Sequence, residues 1–397
     1  MFIEILMAIL LGTIAGTFTG LIPGIHINLI SAIIIASLSF LLGFTSPFAL
    51  VVFILSMSIV HTFLDTIPSI FLGAPDSSTA LGVLPGHRFL LKGQGLFAVK
   101  LTIIGSFFAS IISILFFPAF LWIINYVYPI ISPYIKYFIV CVVIFMILKD
   151  RHKLWAIFIF TISGILGLIS LNLQMENPLF PLLSGMYGVS TLLYSLNDKN
   201  NLPMQTNTSD KIPIILFIKA LFSGCFSGYL TAVTPALGSG MAAVIASQIT
   251  RKLGDIGFML MIGSISTFNM VLSLVTFYSL DKARNGSIIA IQELLNGINN
   301  IQLIVLLLVV ITVGSFSVFL AINISKIFCN IIIKVNYSKL IICIVMFIVS
   351  LTIILSGWKG IIILITSSAV GFLPAIKKTT RTMGMGCIII PVLSYFF

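Results

Sequence analysis

Apolar residues in this chain come in long runs, and the polar residues gather in the gaps between them. The run from Leu340 to Leu355, flanked by Lys339 and Lys359, is typical. A helix that crosses a bilayer needs about 20 such residues. The alternating segments of about ten residues that build a membrane barrel do not recur. The pattern therefore predicts an all-α polytopic membrane protein. Its first twenty residues lack a basic n-region and a small-residue cleavage site, so they read as a first helix and not as a signal peptide.

Against that background the polar interruptions are informative. The stretch GLIPGIHIN, Gly20 to Asn28, sets Pro23-Gly24, His26 and Asn28 inside an apolar segment. Laying LGTIAGTFTGLIPGIHIN (Leu11 to Asn28) without a gap over SGCFSGYLTAVTPALGSG (Ser223 to Gly240) puts Gly12 on Gly224, Gly16 on Gly228 and Pro23 on Pro235. The chain thus divides into an N-terminal membrane repeat over residues 1–195, a polar Asn-rich linker over 196–213 and a C-terminal membrane repeat over 214–397. Suppose each half is a broken or re-entrant helix pair followed by five crossings. The loops at Arg88–Lys100, Lys149–Lys153, Lys199–Lys211, Arg251–Lys252, Lys326–Lys339 and Lys377–Arg381 then share one side, and the other side keeps Lys136, Lys282, Arg284 and Lys359. That bias is the positive-inside pattern. It predicts two inverted-topology repeats, a cytoplasmic linker, both termini outside and broken helices meeting near the bilayer midplane of the cell membrane.

Composition sharpens this picture. The 397 residues are 59% hydrophobic and 8% charged, against about 25% charged in soluble domains. The net charge of +11 is spread over short loops without interleaved aromatics, so topology explains it and a nucleic-acid partner does not. The five cysteines, at 141, 225, 329, 343 and 387, read as small buried hydrophobes. The four histidines, at 26, 61, 87 and 152, lack a metal-ligand spacing, and neither a nucleotide-binding loop nor an HExxH or CxxC motif occurs. No enzyme signature, cofactor or metal site is predicted.

The interruptions carry the candidate chemistry. Proline and glycine open the helix backbone, and open backbone at membrane depth must face protein or a water-filled cavity. The half-helix after each break turns its amides and positive dipole end into that cavity, which suits an anion. Pro23, Gly24, His26 and Asn28 form one half of the predicted substrate site, and Pro235, Gly238, Ser239 and Gly240 the other. The glycine stripe at 12, 16 and 20 reads as helix packing. A second polar cluster, His61 to Gly95, adds Ser77, Ser78 and Thr79 as substrate contacts and Asp65 and Asp76 as ion-coupling acids, although Asp76 fits a plain N-cap equally. An acid as deep as Asp65 costs roughly 2.5–3.5 kcal/mol on insertion scales, so it is retained for function or pairing. With small gaps, Thr267-Phe268 lies on Thr62-Phe63 and Asp281 on Asp76, and Asn269 joins the substrate set. His87-Arg88 reads as a topology-setting pair, with contact to substrate at the inner mouth as the alternative, and His26 as either a proton relay or a hydrogen-bonding group.

The segments GTFTGLIPGIHIN, FLGAPDSSTALGVLPGHRFLLKGQG (Phe71 to Gly95), NPLFPLLSGMYGVSTLL (Asn177 to Leu193) and SSAVGFLPAIKKTTRTMGMGCIIIPVL carry a resemblance. The chain resembles the large membrane subunit of tripartite tricarboxylate transporters, the TctA family, as a short archaeal-type member. The resemblance implies secondary, cation-coupled uptake of carboxylate anions, with H+ or Na+ as the coupling ion. It also implies a small membrane subunit and an extracytoplasmic binding protein as partners. Here His26-Ile27-Asn28 replaces the Gly/Pro-rich continuation usual after the first Pro-Gly. Two other readings stay open: translocation of an anionic lipid carrier such as polyprenyl phosphate, and a channel or assembly subunit. Substrate identity and oligomeric state are not legible.

Overall fold

A computed structural model describes residues 2–22, 27–73, 79–175, 177–195, 203–206, 211–233, 239–250, 253–283, 285–295, 297–332 and 337–396. Among them the secondary structure is helical, without a strand. Helix α1 (Phe2–Leu21) is followed by α2 (Ile27–Ala36). The next pair, α3 (Pro47–Leu64) and α4 (Thr66–Leu72), runs on through Asp65 as one apolar span. Ser46 starts it by accepting the Ala49 N–H, with Pro47 in the first turn. Then come the short α5 (Val83–Leu91), α6 (Gly95–Leu115), α7 (Ile135–Lys149), α8 (Lys153–Asn172) and α9 (Leu179–Tyr194).

The second half is helical as well. It contains α10 (Ile214–Val233), α11 (Ser239–Ile249), α12 (Gly254–Leu280), the short α13 (Gly286–Leu294) and α14 (Asn300–Ile332). It ends with α15 (Tyr337–Lys377), which breaks at Gly357 where φ is 64°, and α16 (Arg381–Phe396). Nine helices among the described residues are long and apolar enough to cross a membrane, so the chain is a multi-pass membrane protein. The spans Pro47–Leu72 and Gly254–Leu280 form its centre, at 83% and 89% buried, while α1 is only 28% buried. Outward residues such as Phe18, Phe222, Ile354 and Trp358 are apolar, as contact with lipid requires. Cys225, Cys329 and Cys387 are buried as expected. Cys141 and Cys343 are not: they lie exposed on α7 and α15, where a thiol costs little against hydrocarbon.

The glycine stripes set the packing. A Cβ on Gly12 would come within 2.5 Å of the Phe53 carbonyl oxygen and 2.8 Å of Ser56 Cβ, and one on Gly16 within 2.7 Å of Val60 Cβ. On the other hairpin, Gly224 meets Ser264 Cβ at 2.6 Å and Gly228 meets Phe268 Cβ at 3.1 Å. So α1 lies on α3 in the register in which α10 lies on α12, and this register corrects the gapped alignment. It lays Asn269 on His61 and Ser273 on Asp65, not Thr267 on Thr62. Two further pairs of contacts are reciprocal. Helix α3 packs on α14 while α6 packs on α12, and α8 packs on α16 while α15 packs on α9. Gly386 is fitted against the Phe160 carbonyl and Ser163, and Gly185 against the Leu364 carbonyl and Ser367.

Loops predicted to share the basic side touch one another. Arg88 pairs with Asp255 at 3.2 Å, and Asp150 accepts from the Thr380 N–H at 2.9 Å. Linker residues 203–206 dock on the neighbouring Gly93–Gly95 turn: the Gln205 side chain bonds Gly95 N–H and the Leu90 carbonyl, each at 3.0 Å, and Thr206 N–H reaches the Gly93 carbonyl at 2.8 Å. Elsewhere, Lys359 on α15, assigned to the opposite side, donates to the Gln174 carbonyl at 3.0 Å.

Candidate functional site

Both predicted interruptions separate helices at equivalent places. Helix α1 stops at Leu21 and α2 starts at Ile27; α10 stops at Val233 and α11 starts at Ser239. Pro23, Gly24, His26, Pro235 and Gly238 fall outside the described residues, as do Asp76, Ser77 and Ser78. Of Asn28 only the backbone, in α2, is described. Ser239 is half-buried at the first turn of α11, and Gly240 is buried beside it.

Next to these breaks a buried polar seam runs along α3 and α4. Asp65 lies at their junction, 3% exposed, with its N–H donating to the His61 carbonyl at 2.9 Å. His61 Nδ1 is 3.1 Å from Thr19 Oγ1 in the last turn of α1, so the seam reaches the edge of the first break. The Thr267 hydroxyl donates to Thr62 Oγ1 at 3.1 Å, and the hydroxyls of Thr66 and Thr102 are 3.0 Å apart. The same helices place Ser58 3.1 Å from Ser287 and let Ser69 donate to the carbonyl of Thr79 at 3.4 Å. One span is thereby tied to α1, α6, α12, α13 and the Thr79 turn. Of the sequence-predicted residues, Asp65 and Thr79 lie in this seam. Asn269 lies on α12, where its side-chain carbonyl accepts from Ser273 at 3.4 Å.

Several buried hydroxyls have no partner among the described residues: Ser31 on α2, Ser56 opposite Gly12, Ser227 beside Gly228 and Ser266. An unsatisfied buried polar group costs about 1–3 kcal/mol, so these oxygens are suited to a ligand or to water. Sequence reasoning missed the contributions of His61, Thr19 and Thr102. The signal present was the four-residue spacing of His61 and Asp65, which puts them one turn apart on one helix face.

These features define a class: a polytopic helical membrane protein whose buried polar seam reaches the edge of its first helix interruption. Residues 6–385 match the tripartite tricarboxylate transporter TctA family, and the chain belongs to that family. An uncharacterised protein of Methanocaldococcus jannaschii is 29% identical over 407 residues, an alignment that covers 98% of each chain. No solved structure matches the chain.

Proposed function

We propose that the protein is a secondary transporter of a small organic anion, a carboxylate such as a tricarboxylate, driven by an H+ or Na+ gradient. The family supports the transport reading. The observation that carries the coupling is the asymmetry of the seam: the first half has His61 and Asp65 where the second has Asn269 and Ser273, so a group able to change charge lies in one half only. Substrate would bind between the two breaks, held by amides and hydroxyls around Asn28, Thr79, Ser239 and Gly240. The matched helix ends and reciprocal packing support two repeats of residues 1–195 and 214–397, inverted with respect to each other and joined by the 196–213 linker. A small membrane subunit and an extracytoplasmic binding protein complete the assembly that we infer from the family's description.

A second reading, transport of an anionic lipid such as polyprenyl phosphate, is favoured by one feature. An apolar groove of ≈ 840 Å³ lies between Phe116, Phe120, Phe222 and Tyr229, and it extends to Val233 at the end of α10. A lipid tail there would leave its head group near the second break. Reconstitution with the partner subunits into liposomes, with labelled citrate and succinate under imposed Na+ or H+ gradients, separates the two readings. Gradient-dependent carboxylate uptake is expected. Absence of uptake together with movement of labelled polyprenyl phosphate between leaflets would sink the carboxylate reading.

A further inference from the structure

A second cavity lies apart from the seam, on the face where the basic loops meet. It has a volume of ≈ 200 Å³ and opens between Leu81, Pro85, the start of α12 and the start of α16. The guanidinium of Arg381 enters it and donates to Thr191 Oγ1 on α9. The Thr191 hydroxyl itself donates to the Tyr187 carbonyl, which turns its lone pairs toward the arginine. The residue before Arg381 is anchored too, because Asp150 Oδ2 accepts both the N–H and the hydroxyl of Thr380 at 2.9 Å. A guanidinium bonded to Thr191 and carried on an anchored backbone is preorganised for a planar partner.

That partner is not supplied by the described residues. Asp255 lines the same cavity, but it is paired with Arg88. Tyr187, 3% exposed, sits in the π-helical turn Ser184–Val189, a kind of widened turn common at functional sites. It lines the cavity, and its phenolic oxygen is buried with no hydrogen-bond partner. An orphaned donor and a cation without a carboxylate therefore border one space. The charges around it are simple. Arg88 and Asp255 cancel, and burial, opposed by a backbone hydrogen bond at Ile70 and aided by Arg381, lowers the His87 pKa to about 4, so His87 is neutral near pH 7. Among the described residues one positive charge remains. It matches one carboxylate, which accepts two parallel N–H bonds from an arginine fork, whereas a phosphate dianion would keep a negative charge against Leu81 and Phe258.

We propose that Arg381 and Tyr187, with the Thr191 hydroxyl orienting the guanidinium, form a binding site for a single carboxylate group of a small organic anion, distinct from the Asp65 seam. The assignment does not depend on the transport reading, because binding is measured without a gradient. The test uses the purified full-length protein in detergent, with thermal unfolding followed against sodium succinate and citrate, and with sodium chloride and sodium phosphate at matched ionic strength. Saturable stabilisation by the carboxylates is expected. R381Q and Y187F should each raise the apparent Kd at least tenfold, with R381K between them and wild type. Without ligand, Y187F should unfold no earlier than wild type, because its hydroxyl has no bond to lose.

Equal carboxylate stabilisation of R381Q and wild type would overturn the site, as would tighter binding of phosphate than of succinate. If R381Q does not fold, Y187F decides: unchanged Kd with a lowered melting temperature makes the phenol structural and defeats the proposal. Arg381-dependent binding without uptake in liposomes would instead count against the transport reading alone.

Discussion

Asp65 and His87 are both buried in this protein, and their surroundings give them different uses. Asp65 lies among hydroxyls in the central span, 3% exposed, where roughly 2.5–3.5 kcal/mol of insertion cost must be offset. D65N is therefore expected to lower anion uptake and flatten its dependence on the cation gradient, whereas E4Q, in the first turn of α1, should not. Wild-type uptake and gradient dependence in D65N would remove Asp65 from coupling. His87 is held neutral, with a pKa of about 4. Between its usual value near 6.5 and about 4, the unfolded chain takes up a proton that the folded chain refuses. This contribution to stability is complete above about pH 6.5 and is lost as pH falls toward 4, by on the order of 3 kcal/mol at the limit. Melting curves at pH 7.5, 6 and 5 should fall more steeply for wild type than for H87Q; parallel curves would show that His87 does not contribute.

Among the elements, the pairing of α1 with α3 depends on the absence of side chains. A methyl group on Gly16 would fall 2.5 Å from the Met57 carbonyl oxygen, a backbone atom that cannot rotate away. G16A should destabilise the protein by about 1–3 kcal/mol, the usual range for overpacking, and lower its melting temperature without altering membrane insertion. A melting temperature equal to wild type would mean that α1 can shift outward freely. The breaks after α1 and α10 were legible because proline and glycine act on the local backbone. The pairing of Asn269 with His61 was not. Hydroxyl and apolar residues recur so often along α12 that several registers fit the pattern, and the glycine contacts choose among them.

At the scale of the molecule, the loops at Arg88, Asp150, Gln205, Asp255 and Thr380 form one connected surface. The inverted arrangement proposed for the two halves then places Arg151 and Arg284 on opposite sides of the membrane. Single cysteines at these positions, with Cys141 and Cys343 replaced by alanine, should react with a membrane-impermeant maleimide from opposite sides. Labelling of both from the same side would defeat inversion. The described part of the linker makes a related point: the Gln205 and Thr206 contacts hold residues 203–206 on the Gly93–Gly95 turn, so these residues form part of this face.

By itself the sequence determined that this is a helical multi-pass membrane protein, where its helices are interrupted and to which family it belongs. Each of these follows from local causes: the transfer of apolar side chains into lipid, the missing donor of proline, and residues close together in the chain. Only the tertiary structure decided which polar groups meet. His61 with Thr19, Thr62 with Thr267, and Arg381 with Thr191 join distant segments. In a chain apolar on nearly every helix face, hydrophobic patterning says little about how each helix is rotated. Close glycine contacts and the need to satisfy buried polar groups set those rotations, and with them the seam and the Arg381 cavity.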